Sequence, residues 1–424
     1  MTETRLSGTS TTSAAPVYSV RMLWAIVVVL AIASIIAYID RVNLSVALVD
    51  AEFESYFNLS NTDRGFVNSA FFWSYAVLQI PAGWVVDRFG SKKPLMIGFA
   101  VWSVLTAATA LTTGFASLFA IRLLLGVGEA VVHPASMRWI RFNFPERRRG
   151  LAIGLFMSGS KFGPAIGAVS AAMLIESVGW QAMFMLVGLV SLLWLVPLGL
   201  MLKGDQHSGP SASAEAVTVA SVPMRKLLSN PIIWGTVIGT FCYMYFVYFC
   251  LTWMPAYYSE EMGLTLTSSG LYTTFSFAGM AIVAIIGGFA ADWIINRGAS
   301  AVTVRKAFTL AGFLMATTVL IGAQATSLNV ALFFSVLSLS GLGLATANYW
   351  ALTQTLIPGG AIGRIVGIQN TAASGAGIAS PILTGWMIDA TGSYTAPMQA
   401  VGFFMGLGIC AYLFLVREKY APKL

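Results

Sequence analysis

Asp40, Arg41, Arg122, Glu129 and Lys161 stand inside stretches otherwise apolar enough to cross a bilayer, and all five fall in the first half of the chain. At bilayer depth a charge costs about 2.5–3.5 kcal/mol, so five uncompensated ones would cost about 12–18 kcal/mol. Residues that costly are kept where they pair or face water, which marks a path for an ion or a polar solute. The two acids are able to carry protons. The three bases are able to hold an anion.

Their spacing gives each a direction. Arg122, Gly126, Glu129 and His133 recur at i, i+4, i+7 and i+11 and share one helix face. At ~1.5 Å rise per residue, Arg122 and Glu129 lie about 10 Å apart along the axis, with Gly126 expected to leave space between them. A face like that must point at a cavity; the plainer alternative is a buried Arg–Glu brace. Asp40 and Arg41 are helix neighbours about 100° apart and cannot face one partner. Arg41 is therefore expected to face the cavity as an anion ligand, and Asp40 to face a neighbouring helix, exchange its proton and gate access. Arginine suits a carboxylate because its planar fork gives two parallel hydrogen bonds and its charge is permanent. Lys161 falls ~16 Å from the inner end of its helix, near mid-membrane. It either adds a cation for a second acidic group or pairs with Glu129.

The elements that carry these residues follow from composition. Of 424 residues, 57% are hydrophobic and 10% charged, against about 25% charged in soluble domains. Twelve apolar segments are expected as helices, near 22–49, 66–86, 94–113, 117–138, 150–175, 182–202, 231–256, 268–291, 304–324, 328–355, 362–387 and 397–416. Most exceed the ~20 residues that cross ~30 Å of hydrocarbon. The runs are continuous, without the alternation of barrel strands. Residues 1–20 read as a disordered cytoplasmic N-terminus without signal-peptide form. The polar stretch 203–230 reads as a cytoplasmic linker between a 21–202 bundle and a 231–416 bundle, and 417–424 as a cytoplasmic tail. With both termini inside, the inner segments carry twenty Lys and Arg, and the outer loops only Arg64. The net charge of +7 is therefore topological, and nucleic acid is not an expected partner. Cys242, Cys250 and Cys410 lie in apolar helices and read as packing residues. No zinc or ATP motif occurs, so neither a metal nor a cofactor is expected, and no nucleophile–base pair points to an enzyme.

The halves repeat. Gly83-Trp84-Val85-Val86-Asp87-Arg88-Phe89-Gly90-Ser91-Lys92-Lys93 follows the second helix, and Gly287-Gly288-Phe289-Ala290-Ala291-Asp292 follows the eighth, with Asp87 and Asp292 205 positions apart. Pro145 precedes Gly154 as Pro358 precedes Gly367, nine residues on in both. Such correspondence points to duplication, with the solute held between the halves near mid-membrane. The first of these motifs resembles the loop signature of the major facilitator superfamily. Tyr38-Ile39-Asp40-Arg41-Val42-Asn43-Leu44-Ser45 and Leu251-Thr252-Trp253-Met254-Pro255-Ala256-Tyr257 resemble motifs of its anion:cation symporter branch, which includes bacterial hexonate, hexuronate and aldarate transporters and, more distantly, sialic-acid and vesicular glutamate carriers.

The resemblance implies an all-α membrane protein of twelve transmembrane helices in two pseudo-symmetric bundles. It also implies transport of an organic anion, usually with protons. In the family this arginine on helix four contributes to the anion site and this glutamate to proton coupling. Arg41 and Asp40 take similar roles. Tyr75 and Gln79 match cavity-facing positions. The family often has a neutral residue where Lys161 stands. Tyr349, Trp350 and Asn370, with Asn348 beside them, are candidates for the polyol end, since an amide both donates and accepts. Asp87, Arg88, Lys92, Lys93 and Asp292 read as a cytoplasmic latch of charge pairs. The aromatics of helix seven, Phe241 to Tyr258, are expected mostly toward lipid or the outer interface. Gly159, Gly163 and Gly167, and less regularly Gly363, Gly367 and Gly377, are expected to allow close, sliding helix contacts. The reading is a monomeric, proton-coupled symporter of a sugar acid in a bacterial inner membrane, working by alternating access. Its rivals are an anion exchanger, uptake of aromatic or other dicarboxylic acids and, remotely, an anion channel.

Overall fold

A computed structural model describes residues 18–202, 228–357 and 359–420. The expected tail at 1–20 and linker at 203–230 lie almost wholly outside the described residues, as does the end of the 417–424 tail. Among the described residues every long element is helical. The first six spans are α1 (Val20–Ala47), α2 (Asn61–Phe89), α3 (Lys92–Ala108), α4 (Phe115–Asn143), α5 (146–178) and α6 (180–201). The second six are α7 (Pro231–Ala256), α8 (Leu266–Asn296), α9 (Ala301–Ala323), α10 (Leu328–Leu356), α11 (Gly359–Thr391) and α12 (Thr395–Phe414).

Local chemistry explains the breaks. Gly179 takes φ +82°, a left-handed conformation that ends α5 and starts α6 without a loop. Inside α4 the ladder loosens at Ala130 and Val131, because Pro134 has no N–H to give the carbonyl four residues earlier. Glu129 therefore ends one helical segment, and His133 belongs to the next.

Small residues bring α5 against α1. Gly159 meets Ser34, Gly163 meets Tyr38 and Gly167 meets Val42, so a side chain at any of the three would collide with α1. Gly377 likewise faces the Phe72 ring, whereas Gly367 faces open space. The expected packing role therefore holds at Gly377 and fails at Gly367; the side chain position of Gly363 lies outside the described residues.

The two halves meet along three seams, α1 with α7, α2 with α11, and α5 with α8. The α2–α11 and α5–α8 seams are copies of one another. The 205-residue offset relates Thr62 to Thr267 and Gly65 to Gly270, and the 213-residue offset of Gly154 and Gly367 relates Glu176 to Asp389. Asp389 on α11 accepts hydrogen bonds from the N–H groups of Asn61 and Thr62, the latter at 2.8 Å, at the start of α2. Glu176 on α5 accepts from the N–H of Thr267 at 2.9 Å, at the start of α8. Gly65 abuts Pro381 and Ile382, and Gly270 abuts Ala168 and Val169. Each carboxylate serves orphan N–H groups at the other half's helix start and complements its dipole. Arg64, almost fully buried, adds ion pairs to Glu54 (2.7 Å) and Glu260 (2.6 Å).

All these ties lie at the end away from the chain termini. At the termini-bearing end Lys92 bonds the Gly199 carbonyl, Arg138 pairs with Asp87, Arg305 with Asp292, and Lys306 bonds the Val416 carbonyl, each within one half. One face of α5 records the transition. Ala172, Ala168 and Ala165 lie against α8, whereas Gly154 and Gly150, on the same face toward the termini, meet nothing within 4 Å. A cleft therefore opens between the halves toward the termini and is sealed at the opposite end.

Candidate functional site

The charged residues collect where the seams give out. Ser45 Oγ donates to the Leu251 carbonyl across the α1–α7 seam, and Arg41 lies one turn toward the cleft. Thr274 Oγ1 donates to the Ala165 carbonyl across the α5–α8 seam, and Lys161 lies one turn toward the cleft. Phe72 fills the space beside Gly377, and Tyr75 and Gln79 lie one and two turns further on. These residues form the floor of the cleft.

At its centre Arg41 and Glu129 form a buried ion pair. Arg41 Nε and Nη2 both donate to Glu129 Oε2, at 3.0 and 2.8 Å. The guanidinium is boxed by aromatic rings: its carbon lies 4.4 Å from the Tyr38 and Phe71 ring centres and 5.1 Å from that of Tyr75. Cation–π attraction and the ion pair together offset the burial of the charge. Tyr75 also comes within 3.4 Å of His133 Nδ1 through its hydroxyl. Gly126 does not hold space open between Arg122 and Glu129, as its spacing suggested. It meets Phe71, Ser74 and Tyr75, so it brings α4 against α2.

Asp40 turns away from this pair, toward α3. Its two oxygens are buried, and the polar side-chain groups they face are Trp102 Nε1 and Thr106 Oγ1. Arg122 approaches from α4, where its Nη1 donates to the Asp40 backbone carbonyl at 3.2 Å. Arg122 and Glu129 share a helix face, yet Glu129 is paired with Arg41 instead.

Lys161 is half-buried, forms no hydrogen bond or ion pair, and places Nζ 6.0 Å from the Tyr243 ring centre on α7. The expected alternative of a Lys161–Glu129 pair is thus not what the structure shows.

This twelve-helix arrangement has a sequence counterpart. The profile described as "Major Facilitator Superfamily" matches residues 30–381. The chain belongs to that superfamily. It is a multi-pass integral membrane protein and a transporter. Among curated relatives, a Cupriavidus necator protein named "Probable sulfoacetate transporter SauU" is 32% identical, covering 90% of each chain. The hexuronate transporter of Bacillus subtilis is 30% identical, covering 92% of this chain and 93% of its own. Among solved structures, a bacterial homologue of the human lysosomal transporter Spinster, inward-facing and occupied, superposes with a TM-score of 0.80 at 17% identity, covering 96% and 100% of the two chains. Within the superfamily such relatives group the chain with sugar-acid and anion transporters.

The second half supplies an aromatic wall. Tyr243 bonds Thr346 at 2.8 Å and its ring lies 4.7 Å from Tyr349, which in turn lies 5.2 Å from Trp350. Tyr349 is fully buried with an unbonded hydroxyl, and Trp350 is half-buried. Asn370 is exposed; helix geometry puts it on the face of α11 that carries Gly367 and Ser374, toward the first half. Asn348 is buried and donates to the Leu344 carbonyl. The helix-seven aromatics correct the sequence reading: Tyr243, Tyr245, Phe246, Phe249, Trp253, Tyr257 and Tyr258 are buried inside the protein. Hydropathy could not tell an aromatic that meets lipid from one that meets other helices.

The latch residues stay within their own halves. Asp87 pairs with Arg138 (2.8 Å), Asp292 with Arg305 (3.0 Å), and Lys92 donates to the Gly199 carbonyl (2.7 Å). Arg88 lies over the Trp84 and Phe89 rings, and Lys93 is exposed. Among the described residues, the contacts these five make stay within one half. Residues that sequence reasoning missed include Tyr38 and Phe71 as walls of the arginine box, and Glu176 and Asp389 as caps. The repeat offsets were the signal that could have found the caps.

Proposed function

We propose that the protein is a proton-coupled symporter of a small organic anion, with a sugar acid as the leading substrate class. The observation that carries this reading is the Arg41–Glu129 pair on the floor of the cleft. While Glu129 is ionised its Oε2 takes the Nε and Nη2 donors of Arg41. A proton on Glu129 removes the charge that holds the guanidinium. Arg41 is then free to take a carboxylate in two-pronged geometry. Anion and proton thus favour each other's binding, which is the linkage a symporter needs. Asp40, buried beside Trp102 and Thr106 of α3, is the second proton carrier, and a proton on it removes a charge from the membrane interior.

Arg122 and Lys161 extend the cationic floor, with Tyr75 and Gln79 beside it. Tyr349, Trp350 and Asn370 face it from the second half and suit the hydroxyl-bearing end. The relatives named for hexuronate and sulfoacetate support an organic acid as cargo. The cleft opens toward the termini; with the termini in the cytoplasm, as the distribution of Lys and Arg favours, this is the inward-open arrangement of an alternating-access cycle. Asp87, Arg88, Lys92, Lys93 and Asp292 would re-pair across the halves when the cleft closes. The test is uptake into proteoliposomes of hexonates, hexuronates, aldarates and sulfo-acids, with and without an inward proton gradient. Accumulation that collapses with the gradient is the expected result. Uptake that ignores protons and requires an anion on the far side would make it an exchanger.

A further inference from the structure

Among the described residues Lys161 forms neither hydrogen bond nor ion pair; its Nζ lies 6.0 Å from the Tyr243 ring centre. Its place in the duplicated plan is informative. The 213-residue offset that relates Gly154 to Gly367 and Glu176 to Asp389 also relates Lys161 to Ser374. The equivalent position in the second half is thus a small neutral residue, half-buried on the same cleft-facing side of α11. The backbone does not require a long cation there, and the first half carries one against its own symmetry.

Position adds the rest. Lys161 shares a helix face with Ala165, Ala168 and Ala172, the face that α5 turns to the other half, and it stands one turn inside the last contact of that seam. The α1–α5 register pairs Gly159 with Ser34 and Gly163 with Tyr38, so Lys161 is level with Ile36. Arg41 is five residues further along α1, an axial offset of about 7.5 Å at ~1.5 Å per residue. The two cations are thus carried at different depths along the cleft, as the two ends of one short, doubly charged solute require.

We infer that Lys161 is a specificity-determining residue that receives a second acidic group, so that the cargo is a dianion: an aldarate or another short acid charged at both ends. This rests on the organic-anion reading above and narrows it. Charge accounting agrees with it. The empty floor holds three bases and two acids; with both acids protonated and a dianion bound, its net charge is unchanged. A monoanion under the same protonation would leave one additional positive charge in the membrane interior.

The experiment compares matched probes, galacturonate against galactarate and acetate against sulfoacetate, by uptake into proteoliposomes under one inward proton gradient. Wild type, Lys161→Gln and Lys161→Arg are each measured. Because the quantity read is a ratio within one variant, yield and folding cancel. The wild type should take the dianion of at least one pair tenfold or more over its monoanion. Lys161→Gln should lower that ratio at least tenfold, and Lys161→Arg should keep most of it. A wild type that prefers the monoanion in both pairs overturns the inference while leaving proton-coupled anion transport standing, and so does a ratio unmoved by Lys161→Gln. Transport of a hexonate with neither dianion taken up also overturns the inference, while uptake of no organic acid at all contradicts both readings.

Discussion

Arg41 is the residue on which the chemistry turns. Its guanidinium is held by one carboxylate oxygen and three aromatic rings, so its substitution separates charge from shape. Arg41→Ala should remove anion binding, since loss of a hydrogen-bonded charge costs about 1.5–3 kcal/mol and leaves Glu129 buried without its partner. Arg41→Lys should recover little, because the two-pronged geometry and the flat stack on the rings are both lost. Titration of binding by intrinsic fluorescence checks this; near-normal affinity in Arg41→Lys would mean the fork is not used. The five costly charges were legible in the sequence, as was the division of Asp40 from Arg41. The partner of Glu129 was not. A stripe on one helix gives direction, whereas Arg41 reaches Glu129 from a helix 88 positions away. The burial of the helix-seven rings was illegible for a related reason: lipid and protein interiors are equally apolar.

Helices α2, α5, α8 and α11 carry the seal, and two carboxylates cap it in matching fashion. Asp389→Asn with Glu176→Gln should loosen the closed end, since hydrogen bonds to charged groups contribute about 1.5–3 kcal/mol each. With Cys242, Cys250 and Cys410 replaced by Ser, a cysteine at buried Ser69 reports this. An impermeant thiol reagent added from the sealed side should label it faster in the double variant. An unchanged rate would mean the caps do not hold the seam. The glycine spine of α5 gives a second prediction at this scale. Gly163→Val would drive a side chain into Tyr38 on α1, and overpacking of that kind costs about 1–3 kcal/mol. The thermal midpoint in detergent should fall, while Gly154→Val, facing the open cleft, should leave it nearly unchanged. Equal stability of the two would contradict the register of α1 on α5. The twelve spans were readable from apolar length, and the duplication from two motif pairs. The bend at Pro134 and the merged turn at Gly179 left no hydropathy signal.

As a whole the molecule is a pseudo-symmetric pair of bundles with an asymmetric charge load: the acids and bases of the floor all belong to the first half. That asymmetry makes the overall charge of the cycle a property of the cargo. A monoanion moving with two protons carries one positive charge inward and gains about 2.3 kcal/mol per 100 mV of membrane potential. A dianion with two protons gains nothing. Uptake measured at zero pH gradient, with a potassium-diffusion potential imposed, should therefore respond to voltage for a monoanion and not for a dianion. The same voltage response for both would rule out fixed two-proton coupling.

The central claim is that a proton on Glu129 releases Arg41 to the solute. It is tested most directly by solute-driven proton uptake in weakly buffered proteoliposomes, with no gradient imposed at the start. Addition of a transported anion to the wild type should acidify the interior. In Glu129→Gln the acidification should fall by at least half, down to what Asp40 alone supports, while exchange of labelled solute continues, because the amide resembles the protonated acid in size and hydrogen bonding. Proton uptake in Glu129→Gln equal to wild type, mole for mole of solute, would contradict the account.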